Sequence, residues 1–171
     1  SLNDEMHFMS HGVNMEDYSQ TFSEGEKMPE DIAALPKPVI AMIGGISEWM
    51  DWEPVRYVAR KHPEWSLVFI GAAGYDADIS PVRDLPNVHF LGAKKYSDLP
   101  NYYRAIDVCM ISFKRTEHIE YCCPTRLYEH LAAGKPVVST EYPAVSELPA
   151  DFVFVAHSPE DFEIKIQEAL N

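Results

Sequence analysis

The chain has 171 residues, 46% of them hydrophobic, and a formal charge of −13 from 27 acidic and 14 basic side chains. That length fits one domain with a sizeable core, and the apolar fraction excludes intrinsic disorder. The acidic balance argues against nucleic acid and anionic lipid as direct partners, because both call for clustered Lys and Arg.

Taken in order, the elements alternate between apolar strands and amphipathic helices. Residues 38–43 (Pro-Val-Ile-Ala-Met-Ile) read as a first strand that ends in Gly44-Gly45. Residues 53–61 read as a helix with Val55, Val58 and Ala59 on one face, and 66–71 as a second buried strand. A short strand at 88–91 precedes a helix opened by Asp98-Leu99-Pro100 and carrying Tyr102, Tyr103 and Ala105. Strands follow at 107–112, 136–139 and 152–155, and Ser158-Pro159-Glu160 caps a final helix. Apolar strands alternating with helices predict an α/β fold, a Rossmann-like three-layer parallel sheet with helices on both faces. Ligands of such folds bind at the carboxyl ends of the strands. The loops there are 44–52, 72–80, 92–97, 113–123 and 140–146. No apolar run reaches the length of a membrane span, and the runs are short and internal, so no signal peptide is expected.

Residues 124–140 (Pro-Thr-Arg-Leu-Tyr-Glu-His-Leu-Ala-Ala-Gly-Lys-Pro-Val-Val-Ser-Thr) read as a helix, a glycine stop and a buried strand. Pro124 suits the first helical position. Leu127 and Leu131 form an apolar stripe, and Gly134 supplies the left-handed residue that ends the helix. The helix N-terminus, with Thr125 and Arg126, offers N–H groups and positive charge to phosphate. Glu129 lies roughly 4.5 Å further along the axis, where a carboxylate accepts two hydrogen bonds from a vicinal diol. Diphosphate near Arg126 and ribose near Glu129 would make a nucleotide-sugar site. The alternative is a solvated i,i+3 ion pair contributing about 0.2–0.5 kcal/mol. Spacing alone favours the ion pair. Gly44 and Gly45 lend themselves equally to a close backbone approach to phosphate and to a tight turn.

The segment from Phe113 to Thr140 resembles the donor-binding core of GT-B glycosyltransferases of the family 4 (group 1) type. Residues 124–138 match that family's Pro-x-Lys/Arg-x-Tyr-Glu-Tyr/His-Leu-Ala-Ala-Gly-Lys-Pro-Val-Val signature nearly throughout. Ile43–Asp51, Asn87–Pro100 and Ala105–Phe113 look like further blocks of the same family in the same order, so the likeness spans about 38–170. Ser10-His11-Gly12-Val13-Asn14 with Phe22 is similar to the family segment that leads from the first domain into the second. The resemblance implies the C-terminal half of a GT-B enzyme: residues 1–25 would close the N-terminal domain and link it, and 26–171 would form the donor-binding domain. It also implies a role for Gly44, Gly45, Lys114, Thr125, Arg126, Leu127 and Glu129 in binding a nucleoside-diphosphate sugar, with Arg115 as a second helper of Arg126.

Two departures from the family pattern stand out. The loop after the first strand lacks the lysine that many relatives place on the diphosphate. The earlier of two family glutamates falls on Tyr121, with Glu120 beside it as an ordinary loop acid. Trp49 and Trp52 flank the glycine loop and are expected at an interface with the other half. Asp76-Ala77-Asp78 has the spacing of a metal-dependent transferase motif but lies in a loop of a different domain type. His118 and Cys122 are half a metal site without evident further ligands, and Cys109 reads as a small buried hydrophobe. An odd cysteine count is no disulfide framework.

The resemblance therefore predicts a hexosyltransferase that needs no metal, with the catalytic residues left unassigned. The donor would be a nucleotide sugar. The acceptor, a glycan or lipid-linked sugar, would be held by the other half, in polysaccharide or cell-envelope glycan synthesis. The expected location is the cytoplasm, with attachment at the inner membrane face left to that half. Three alternatives stand beside it: a sugar-nucleotide epimerase of GT-B architecture, a dinucleotide-binding oxidoreductase domain, for which Gly44-Gly45 lacks the third glycine and Asp76 comes late, and a non-catalytic nucleotide-binding module.

Overall fold

Every position of β1 (Val39–Ile43), β2 (Ser66–Ile70) and β4 (Val108–Ile111) is buried. Side chains alternate between the two faces of a strand, so a strand buried throughout lies in a sheet covered on both sides. The computed structural model describes residues 12–18, 21, 27–146, 148–149 and 151–171. With β3 (Val88–Gly92), β5 (Val137–Thr140) and β6 (Val153–Ala156), these strands form one parallel sheet in the order β3-β2-β1-β4-β5-β6. This is the Rossmann-like α/β architecture that the alternating pattern predicts.

Two helix layers cover the sheet. α3 (Trp52–Lys61) is capped by Asp51, which accepts from the Glu53 N–H at 3.0 Å. It packs against α8 (Pro159–Ala169), capped by Ser158 at 3.1 Å from the Asp161 nitrogen. α4 (Leu99–Ala105) and α6 (Thr125–Ala132) meet through Tyr103 and His130, whose hydroxyl and Nδ1 are 2.8 Å apart. α2 (Glu30–Ala33) packs on α4 and α1 (Met15–Tyr18) on α6. The four-residue helices α5 (Glu117–Glu120) and α7 (Pro143–Ser146) sit in the loops after β4 and β5. Ser10, His11 and Phe22 lie outside the described residues, as does the proposed boundary at 25 and 26. The described part of that segment, α1, belongs to this core: Tyr18 is 1% exposed.

Three local expectations are corrected. Pro124 is not the first helical residue but the N-cap, with an extended ψ of 125°, so α6 begins at Thr125. Trp52 is not an interface residue; it packs edge-on against Phe69 and Phe90, with ring centroids 5.2 and 6.2 Å away. Its neighbour Trp49 is exposed and stacks on His118 at 4.6 Å. Strand 66–71 ends one residue early, at Ile70, although the Gly71 N–H still donates to the Gly92 carbonyl at 3.0 Å. Cys109 is fully buried, as its apolar strand suggests.

Candidate functional site

In this strand order the chain winds outward from β1 in one direction and from β4 in the other. The two neighbours thus send their carboxyl-end loops apart and leave a crevice between them. Gly44 and Gly45 follow β1, and Phe113 follows β4. Gly44 has φ +137° and lies under the Arg126 side chain; a Cβ there would stand 2.8 Å from the guanidinium carbon. Gly71, at φ +158°, lies under Gly44 in turn, and its Cβ would meet the Gly44 carbonyl oxygen at 2.0 Å. The Gly44 N–H donates to the Ile70 carbonyl at 2.8 Å, and an Ile46–Ala73 bridge extends the pairing. Two glycines therefore let a backbone and then a guanidinium stack at the sheet edge, where any side chain would intrude.

Arg126 is brought there by α6. A proline N-cap has no side chain able to cap the helix, and no side chain caps α6. The Leu127 N–H is bonded to the Pro124 carbonyl at 3.1 Å, which leaves the Thr125 and Arg126 positions as the open end. Gly134, φ +67°, closes the helix as expected. The Leu127 side chain is fully buried and anchors the helix rather than facing the crevice. Thr125 is exposed. Arg126 donates from Nη2 to the Gly45 carbonyl at 3.1 Å and from Nη1 to the Met42 sulfur at 3.3 Å, and lies 5.2 Å from the Phe113 ring centroid. Burial pulls its pKa down, which measures how poorly water reaches the charge. It has no ion-pair partner among the described residues.

Glu129 is half-buried on the same helix, close enough for its charge to act on Arg126. Burial raises its pKa, while a hydrogen bond from Tyr18 and the Arg126 charge oppose the rise. Neither side chain is closed off from solvent.

The other predicted residues lie elsewhere. Lys114 is exposed and donates from Nζ to the Glu48 carbonyl at 2.7 Å, within the 44–51 loop. It lines a groove of about 510 Å³ with Ser47, Arg56, Asp76 and Asp78. Arg115 pairs with Glu141 at 3.2 Å. Together with Glu120 and Tyr121 they border a separate groove of about 420 Å³. So Gly44, Gly45, Arg126 and Glu129 come together with the open end of α6, while the recorded partners of Lys114 and Arg115 are Glu48 and Glu141. Among the described residues, no group of three His, Cys, Asp or Glu side chains is placed to hold a metal ion, and no helix is long and apolar enough to cross a membrane.

Sequence reasoning missed three contributors. Gly71 reads as the end of a strand, and Tyr18 lies outside every element read from the sequence. His130 is fully buried on the inner side of α6, and burial drives its pKa down to about 3, so it is neutral. It ties α6 to α4 through Tyr103, with Nε2 unpartnered.

Comparisons with known proteins agree with this fold. Residues 37–171 match the model of the family "Glycosyl transferases group 1". The "Putative teichuronic acid biosynthesis glycosyltransferase TuaH" of Bacillus subtilis (strain 168) is 28% identical over 155 residues, 88% of this chain and 38% of that protein. AviGT4, a glycosyltransferase involved in avilamycin A biosynthesis, superposes with a TM-score of 0.67 at 15% identity over 98% of this chain and 50% of its own. Anabaena Alr3699/HepE, solved with UDP and glucose, gives a TM-score of 0.58 at 19% identity over 91% of this chain and 44% of its own. The chain thus spans between about a third and a half of the relatives it matches. With more than half of its length matched by the family model, the chain belongs to the group 1 glycosyl transferases.

Proposed function

We propose that this chain is the donor-binding domain of an enzyme that moves a sugar from a nucleoside diphosphate to an acceptor, in cell-envelope glycan synthesis. One observation carries the reading: the half-buried guanidinium of Arg126, without an ion-pair partner among the described residues, stacked on Gly44 beside the uncapped start of α6. A charge withdrawn from water without a counter-ion is unfavourable, and a diphosphate in the crevice supplies that counter-ion. The Thr125 and Arg126 N–H groups donate to the same oxygens, and the helix dipole adds to the attraction. As the sugar leaves, negative charge grows on the diphosphate, and fixed donors stabilise it without moving. The scheme uses no metal, because Arg126 and the helix end supply the positive charge. Glu129, one turn on, takes the ribose diol.

The setting and the acceptor rest on the relatives. The Bacillus subtilis protein is named for teichuronic acid biosynthesis, and the Anabaena neighbour holds UDP and glucose. The acceptor, a glycan or a lipid-linked sugar, falls to the part of the protein outside this chain.

Thermal shifts with UDP-, GDP- and ADP-sugars test the proposal. A ligand at about 100 times its Kd stabilises by about 2.7 kcal/mol, or several degrees for a domain of this size. One nucleotide should raise the midpoint, and Glu129→Ala or Arg126→Ala should abolish the rise. Equal shifts in wild type and both variants would remove the site from this position.

A further inference from the structure

We propose that the carboxyl edge of the sheet carries a binding track for an uncharged glycan chain, formed by Trp49, Tyr75, Tyr96 and Tyr121. The choice of a glycan rests on the proposed function above. The track holds units remote from the reacting end, which stays with the part of the protein outside this chain.

These four rings are the exposed tryptophan and tyrosines among the described residues. They lie in the loops after β1, β2, β3 and β4, one in each. Those strands are consecutive neighbours in the sheet, so in space the rings run Tyr96, Tyr75, Trp49, Tyr121. Three strand intervals of about 4.8 Å make a row about 14 Å long at its base. Single exposed apolar residues are ordinary, but one ring on each of four adjoining loops is a pattern. Backbone bonds hold three of the loops together. The Gly74 N–H donates to the Ile46 carbonyl at 2.8 Å, which ties the loop of Tyr75 to that of Trp49. The Lys114 N–H donates to the Trp49 carbonyl at 2.8 Å, which ties the loop of Trp49 to that of Tyr121. Trp49 stacks on His118 of α5, and Tyr121 caps the end of the same helix. Tyr96 is set edge-on against Tyr18, with ring centroids 6.4 Å apart. Rings seated in this way lose little freedom when a ligand binds. The grooves of about 510 and 420 Å³ open along this edge, one beside Glu48 and Asp76, the other beside Glu120 and Tyr121.

The neighbouring charges select the occupant. Glu48 adjoins Trp49, Asp76 adjoins Tyr75, and Glu120 adjoins Tyr121. None of these three carboxylates has an ion-pair or hydrogen-bond partner among the described residues. A sugar ring offers a C–H face to an aromatic ring and hydroxyl donors to a carboxylate, which only accepts. The core of a protein–protein interface is depleted in charge, and covering unpaired carboxylates is unfavourable, so the other half of the enzyme fits this edge poorly. Polyanions are repelled, because the cations Lys94 and Arg115 of the adjoining loops already pair with Asp31 and Glu141.

Calorimetry on this chain tests the track, with neutral hexasaccharides of glucose, galactose, mannose and N-acetylglucosamine and with hexagalacturonate. At least one neutral chain should bind, at least about tenfold tighter than its own monosaccharide, which reaches one ring at a time. Hexagalacturonate should not bind. Tyr75 is fully exposed and Tyr121 is 82% exposed, so Tyr75→Ala and Tyr121→Ala should keep the wild-type thermal midpoint. Each should weaken glycan binding by about threefold or more and leave the affinity for UDP, GDP and ADP unchanged. Phe152→Ala removes an exposed ring that precedes β6, at the opposite edge, and should change neither. No binding of any neutral hexasaccharide, equal binding of hexagalacturonate, or wild-type affinity in both tyrosine variants overturns the track. So does loss of glycan binding in a protein that also carries the other half, which would give these rings to the interface. Failure of the donor-site reading shows separately: Glu129→Ala would then keep its nucleotide affinity, whatever the glycan does.

Discussion

A β-carbon on Gly44 would stand 2.8 Å from the Arg126 guanidinium carbon, on a backbone whose φ of +137° few side chains tolerate. Gly44→Ala should therefore destabilise the chain by about 1–3 kcal/mol and weaken pyrophosphate binding, because the guanidinium must leave its seat. Gly45→Ala meets nothing within 4 Å and has no positive φ, so it should stay within about 0.5 kcal/mol of wild type. Urea denaturation and calorimetry on the two variants check the contrast; similar losses in both would show that Arg126 does not depend on the stack. The sequence marks the glycine pair but treats its members alike. Arg126 and Glu129 were legible because helical spacing is local. Gly71 and Tyr18 were not, since each acts on a residue far away in the chain: Gly71 on the Gly44 carbonyl, Tyr18 on Glu129. The bond from Lys114 to the Glu48 carbonyl was not legible either, because it joins residues 66 positions apart.

At the scale of elements, one buried carboxylate holds two helices together. Glu163 of α8 is 1% exposed and accepts from Lys61 at 2.8 Å and Gln167 at 2.7 Å, with His62 Nε2 at 2.6 Å. Burial pushes its pKa up, but the hydrogen bonds and charges of Lys61 and His62 outweigh that, and the net shift is downward. A depressed carboxylate contributes stability above its unfolded pKa, about 4.3, and loses it as pH falls through the folded value. Glu163→Gln should thus lower stability near neutral pH by about 1.5–3 kcal/mol, and the gap to wild type should close below about pH 4. Chemical denaturation from pH 7 to pH 3 measures both, and a gap that persists at pH 3 would mean packing, not charge, holds α3 to α8. The elements themselves were uneven in legibility. β1, β2 and β4 stand out as unbroken apolar runs because both of their faces are covered. α5 and α7, four residues each, are too short to show a helical period. Pro124 satisfies the rules for either of two adjacent positions at a helix start, and only backbone angles separate them.

Over the whole molecule, the donor-site proposal gives the groups gathered at the crevice a single reactant. In the proposed reading Arg126, the end of α6 and Glu129 hold phosphate and pentose, and the chain covers between about a third and a half of its relatives' length. Donor affinity and sugar transfer therefore separate. Holding two reactants in register is worth about 7–11 kcal/mol of a barrier, and that contribution requires a surface for the acceptor. This chain alone should bind nucleotide yet transfer sugar at least about 10⁵-fold more slowly than a protein that also carries the acceptor-binding half. Donor hydrolysis to water, which needs no second site, should be the larger of its two residual activities. Incubating the chain with its preferred nucleotide sugar and candidate glycan acceptors, and following nucleoside diphosphate release and glycan product separately, checks the order. Glycan product appearing at a rate comparable to nucleotide release would mean that the acceptor, too, is held within these 171 residues. The grooves beside Lys114 and beside Glu120 would then become the places to look for it.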